Sequence, residues 1–564
     1  MKDITKELKK LATVPQEQAA FEEWLKMTDA LQFLEDNARD EEFVVYAGAD
    51  FTYLHAVLVP RAAVEPPNVE DLLGWNFNAS SSWAVWSSLG DQPDVGLSAP
   101  LSDCHSKSFV GGEQLVFTRY FEGMIGNKSY FEILQKCVHL LGLHFMPERN
   151  AFCRLDNRGN IEEAIRFVES FGASNKVELS MVTFSRKLLE VYAALTDSAM
   201  VRTFDFTRFM PKNFAGWGKG KVTSVTAGDP LYRLHSEKSA AYMRGVQIIR
   251  PTISKPAASS YLFDGEPEEK RYETFLAYDW KNKKLEEISC APGATANYFT
   301  KSDLPFEVTP AFFRPEVLRK YKDDSDKYTV DARSISCRGA WSLKTYDINE
   351  AGQVHTYLVY LRSLPFEEQQ HWKAYNEAPK SPISKRAYTT DFLGQWASDE
   401  DPLEALKYKL REWSEKSVPW WVLRTTKALD VVHYPVTSAA DEWSEELLHL
   451  DQLLVEGFEK PWLKQRALAL GRTTENQWGT LKLIEECLIG AGFEEADAKS
   501  LMQPLQTLHH LRSKLKGHVS GGDAVKLKQA AVRDHGSYKA HFVELCRQCR
   551  ASLEAIETAL SGQK

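Results

Sequence analysis

Cysteine is scarce in this chain: eight in 564 residues, at positions 104, 137, 153, 290, 337, 487, 546 and 549. So thin a scatter offers no disulfide framework and fits a reducing compartment. Long apolar runs are missing as well. No run of about 18 apolar residues occurs, and the opening Met1-Lys2-Asp3-Ile4-Thr5-Lys6-Glu7 lacks the apolar core of a secretion signal. The chain is therefore expected to be soluble and cytoplasmic, with no membrane partner. Positive charge is not in excess either. A net charge of −9 argues against a protein that coats nucleic acid over its whole surface.

Common catalytic signatures are absent too. His139 and His144, with Glu148 nearby, lack the HExxH arrangement of a helical zinc site and read as core or helix-end residues. Cys546-Arg547-Gln548-Cys549 is a lone CxxC with no second pair at zinc spacing, which suits two helix residues on a packed face. Gly216-Trp217-Gly218-Lys219-Gly220-Lys221 is glycine-rich without the GxxxxGK[ST] pattern, and reads as a loop. No GxSxG motif occurs. Neither a cofactor nor a metal is expected.

What is present is an ordinary globular composition, 43% hydrophobic and 26% charged. At roughly 150 residues per domain the length allows two to four domains. Residues 1–38 carry a helical stripe (Phe21, Trp24, Leu25, Leu31, Phe33). Phe43–Ala47, Leu54–Val59 and Gln114–Phe121 read as strands, 129–142 as a helix, and 160–210 as helix, strand, helix, strand. Breaker-rich stretches at 251–270 mark a boundary. Beyond it lie two expected hairpins: 273–280 with 284–289 across Lys281-Asn282-Lys283, and Trp341–Ile348 with Val354–Leu361 across Asn349–Gln353. From Ala439 onward the pattern is almost wholly helical, and Glu404–Lys416 is amphipathic. Several helices with short connections make bundle architecture. The expected fold is multi-domain α+β: a mixed α/β N-terminal region (1–255), a β-rich central region (270–400) and an all-α C-terminal bundle (401–564).

The C-terminal region also differs in chemistry. From residue 505 onward ten basic residues face five acidic ones, and five of the fourteen histidines fall there. Within it, Leu501, Leu505, Leu508, Leu511 and Leu515 form a helical stripe. Arg512, Lys514 and Lys516 fall mainly off that stripe, Gly517 supplies a stop, and His518 lies just past it. Arg512 and His518 are six positions apart, so on one continuous helix they would point about 120° apart. A break at Gly517, or a second copy of the chain, would bring them together.

Arg512-x5-His518, late in a helical domain, resembles the R-x(4–6)-H motif of the HEPN superfamily, small helical bundles that include metal-independent endoribonucleases of toxin–antitoxin and antiphage systems. The resemblance covers about the last quarter of the chain. It implies RNA as substrate, a homodimer with motifs facing one another, no cofactor, and front regions that sense a phage trigger or bind a regulatory protein. His518 would exchange protons at neutral pH, and Arg512 would clamp a phosphate through its planar fork. Lys514, Lys516 and His510 would hold the RNA backbone. Glu456 would serve as the polar residue that some HEPN domains set on an earlier helix opposite the pair; read on its own, it is a solvated helix position. The alternative is a catalytically silent HEPN-like dimerisation or nucleic-acid-binding module in a sensor or scaffold protein. An active site within 40–250 has no motif to support it. A central run of cations (Arg314, Arg319, Lys320, Lys322, Arg333, Arg338, Lys344) interleaved with Phe312, Phe313, Tyr321 and Trp341 would suit single-stranded nucleic acid, provided those aromatics are exposed.

Overall fold

A computed structural model describes residues 3–49, 51–65, 83–88, 94–98, 106–121, 128–171, 177–264, 270–395, 401–437, 439–516 and 522–561. The fold is mixed α and β, with several antiparallel sheets and the helices concentrated in the C-terminal region. The chain divides into two compact units, residues 1–156 with 160–268, and residues 157–159 with 269–564. Among the described residues no helix is long and apolar enough to cross a membrane.

The first unit is built on an eleven-stranded antiparallel sheet. Its middle strands, Ala240–Ile249, Ser198–Phe209, Thr52–Pro60 and Glu42–Ala49, are neighbours in that order and are buried over most of their length. They can be apolar on both sides because both faces are covered. Ile4–Ala12, Gln18–Trp24 and Thr28–Asn37 pack on one face through Leu8, Phe21 and Leu34, which meet Val44, Phe204 and Met243. Arg186–Leu195 packs through Leu189 and Tyr192 against Phe43, Val45 and Leu58.

Two stretches of this unit depart from the sequence-based expectation. Residues 129–142 are not one helix: Lys128–Ile133 is a strand paired with Val116–Phe121, and the helix is Gln135–Leu140. Ile161–Phe171, expected to be helical, is a strand between Ala151–Leu155 and Val177–Ser185. Pairing with a strand on each side outweighs the helix propensity of its glutamates.

In the second unit a six-stranded sheet includes the hairpin Thr274–Asp279 with Lys284–Ser289. The other expected hairpin is shorter than its sequence suggests. Asp347–Ile348 pairs with Val354–Tyr357, whereas Trp341–Leu343 belongs to a separate three-stranded sheet and Leu358–Leu361 is helical. Phe312, Phe313, Tyr321 and Trp341 are all buried. They hold the core of this region and cannot act as a stacking platform for bases.

The helical part opens with Pro402–Glu415, whose first turn is fixed by Pro402 and by Asp401, which accepts the Leu403 and Glu404 amides at 3.1 Å. Leu403, Leu406, Leu410 and Trp413, at three- and four-residue steps, are its buried edge. They join one continuous core with Ala440–Leu454, Lys460–Ala469, Thr480–Gly490, Glu495–Lys516 and Tyr538–Ser561.

Candidate active site

Two of these helices build the site. Ala440–Leu454 buries Trp443, Leu447, Leu450 and Leu454, and on the same side it also buries Asp451 completely, at 0% exposure. A carboxylate with no access to water needs partners, and these come from Glu495–Lys516. There Leu505, Leu508, Leu511 and Leu515 are buried as the expected stripe. His509 and Arg512 are three residues apart, so they share the neighbouring edge of the same helix.

The His509 Nδ1–H donates to Asp451, at 3.1 Å from Oδ1 and 3.3 Å from Oδ2. Arg512 Nε lies 3.7 Å from Asp451 Oδ2, and its Nη2 donates to Glu456 Oε1 at 3.5 Å. The imidazole and the guanidinium remain within reach of solvent, their side chains 48% and 33% exposed. Burial pushes the Asp451 carboxyl above its ordinary range, while His509 and Arg512 pull it back and Glu456 adds to the rise. Because an ionised carboxylate can only accept, its contact calls for a proton on Nδ1 of His509, so that in the neutral imidazole Nε2 is the acceptor.

Glu456 reaches this cluster because its helix ends at Leu454 and the chain turns tightly. The Val455 and Glu456 amides both donate to the Asp451 carbonyl, at 2.7 and 3.4 Å. Gly457 makes the turn possible: a Cβ there would stand 2.2 Å from the Trp421 indole.

Arg512 and Glu456, both singled out by sequence, are therefore brought together. His510 is exposed and joins no hydrogen bond or ion pair among the described residues. Lys514 lies 4.0 Å from Asp523, away from the carboxylate pair. His518 and the side chain of Lys516 fall outside the described residues. Asp451 and His509 are the residues that sequence reasoning missed as site members. The one local signal for Asp451 was an acid set among Leu447, Leu450, Leu453 and Leu454.

The remaining motifs contribute no second centre. Cys546 and Cys549 are buried in the packed face of their helix, and burial raises both thiols well above the ordinary range. Among the described residues no three His, Cys, Asp or Glu side chains cluster as metal ligands would.

A histidine oriented by a buried carboxylate, beside a half-exposed guanidinium, can move a proton while holding an anion. No family model matches the sequence, and neither a curated protein nor a solved structure matches the chain.

Proposed function

We propose that the C-terminal helical region is a HEPN-like, metal-independent endoribonuclease, the effector of an antiphage or toxin–antitoxin type system acting as a homodimer. The observation that carries this reading is the pairing of His509 with buried Asp451 one helical turn from Arg512. His509 Nε2 would take the proton of a ribose 2′-OH, whose oxygen attacks the adjacent phosphorus. Arg512 would turn from Glu456 to the phosphate as charge builds on its oxygens. Departure of the 5′-oxygen, protonated by His518, would leave a 2′,3′-cyclic phosphate and a 5′-hydroxyl.

The test is RNA cleavage in EDTA by the full chain and by Arg512→Ala, His509→Ala and His518→Ala. Arg512→Ala and at least one of the histidine variants should lose about 10²-fold or more. Undiminished cleavage by all three would overturn the assignment.

A second reading, a catalytically silent dimerisation or nucleic-acid-binding module, is favoured by a specific observation. Two carboxylates, Asp451 and Glu456, already engage Arg512, as suits a guanidinium that ties two helices together. A wild-type protein that binds RNA or dimerises and never cleaves it would select this reading.

A further inference from the structure

A separate cavity of about 670 Å³ lies within the second unit, a size typical of small-ligand sites. Its walls come from the Asp347–Ile348 strand, the start of Pro402–Glu415, the His433–Val436 segment and the Tyr538–Ser561 helix. The wall carries charges of both signs, and they differ in how they are engaged.

Two of the acids in the wall, Asp347 and Asp401, are committed to the fold. Asp347 takes two parallel bonds from Arg386, at 2.9 and 2.7 Å, and the Ile348 amide at 2.8 Å. Asp401 caps its helix and accepts the Tyr434 hydroxyl at 2.7 Å.

The lysines are not matched in the same way. Lys322 is paired, to Glu442 at 2.9 Å and Glu446 at 2.8 Å. Lys407 is 4% exposed, yet among the described residues its ammonium has only Glu404 of its own helix as an ion-pair partner, at 3.5 Å. Lys539 is half-buried and makes no hydrogen bond or ion pair among the described residues. Burial lowers its pKa, opposed by Asp347 and Asp401 and assisted by Arg386. A desolvated ammonium without a partner is costly, and a ligand anion would remove that cost. His433, also in the wall, is held neutral by burial with a pKa of about 3. It would offer a hydrogen bond rather than another charge.

We propose that this cavity binds a phosphate-bearing small molecule, with Lys539 and Lys407 as its charge partners. The proposal is independent of the ribonuclease reading, because it is read out by binding.

The experiment uses the full chain with inorganic pyrophosphate, magnesium-free ATP and adenosine, followed by thermal melting and calorimetry. Pyrophosphate and ATP should raise the melting temperature and adenosine should not. A response to ATP alone would mark a nucleotide as the ligand class, and a response to both a phosphate group in general. Lys539→Met should bind at least about tenfold more weakly, while melting at or above the wild-type temperature without ligand. A second measurement needs no variant: acetylation of Lys539 by acetic anhydride, read by mass spectrometry, should slow several-fold in pyrophosphate. Failure of both pyrophosphate and ATP to stabilise the protein, binding by Lys539→Met equal to wild type, or unchanged acetylation would each overturn the proposal.

Discussion

His509 Nδ1 lies 3.1 Å from Oδ1 of Asp451, a carboxylate wholly shut off from water on a neighbouring helix. That contact gives Asp451 two roles that pull in opposite directions. It fixes the imidazole for proton transfer, and it keeps a negative charge where burial opposes charge.

Asp451→Asn separates the two roles. Because its folded-state pKa is raised, Asp451 favours the folded state fully only below its unfolded-state value of about 3.9. That contribution is lost as pH rises through the folded value, so the wild type carries the full penalty at neutral pH. Asp451→Asn should therefore melt above the wild type at pH 7, with the gap closing towards about pH 4. RNA cleavage should fall at least about tenfold, since an amide no longer enforces one tautomer. Melting curves across pH and an initial-rate assay measure the two effects. A variant both less stable and fully active would contradict the account.

Gly457→Ala acts on the same site from behind. The added methyl would overlap the Trp421 indole, whose Nε1–H donates to the Leu454 carbonyl at 3.3 Å. Overpacking of this kind typically costs about 1–3 kcal/mol. The turn that carries Glu456 has to move, so the Arg512 contact should be lost together with stability. Denaturant titration gives the first effect. The second should appear as an unaltered cleavage rate when Glu456→Gln is added to Gly457→Ala.

How much of this could be read from the sequence depends on the range of the interaction. The Leu505, Leu508, Leu511 and Leu515 stripe and the amphipathic Glu404–Lys416 pattern are local, and the structure has helices with those buried edges at both places. Ile161–Phe171 reads as helix in sequence because its glutamates favour one, while its partners, Ala151–Leu155 and Val177–Ser185, decide for strand. Asp451 and His509 are 58 residues apart, and no periodicity relates one helix's edge to another's. Arg512 is singled out in the sequence by a motif whose other half, His518, lies outside the described residues. The actual neighbours of Arg512 are not, apart from Glu456.

The first unit contains a buried cation with no carboxylate in hydrogen-bonding contact among the described residues. Arg202 is fully buried and donates to Asn37 Oδ1 at 2.6 Å, the Leu34 carbonyl at 3.0 Å and Gln247 Oε1 at 2.5 Å, with its guanidinium over the Phe43 ring. Burial pulls its pKa down. Asn37 Oδ1 also accepts the Val44 amide at 3.1 Å, so one side chain joins the third helix to the sheet. Asn37→Ala should destabilise this unit by about 2–4 kcal/mol, since it strands a charged donor and an amide together. Hydrogen exchange of the Glu42–Ala49 strand would report the loss. Protection equal to wild type would show that Leu34 and Gln247 suffice.

Acid should destabilise both units through histidines buried in neutral form. His355 is 1% exposed, its Nε2 accepts the Ser384 amide at 3.0 Å, and burial lowers its pKa to about 4. The neutral ring carries its hydrogen on the enclosed Nδ1, so a second proton would have to take the Nε2 lone pair that the Ser384 amide occupies, and the folded state resists it. His55, in the first unit, is likewise buried and held at about 4. An unfolded histidine titrates near 6.5, about 2.5 units higher. Each of these groups therefore contributes stability above about pH 6.5 that is lost as pH falls towards 4, at about 1.4 kcal/mol per pH unit. The loss summed over that window is roughly 3 kcal/mol for each histidine. Unfolding free energies measured between about pH 7 and 4.5 should fall with that slope. His355→Gln, which keeps an acceptor for Ser384 and cannot titrate, should take about 1.4 kcal/mol per pH unit off the acid slope of the second unit and leave that of the first unchanged. Equal slopes in variant and wild type would show that His355 protonates as readily folded as unfolded.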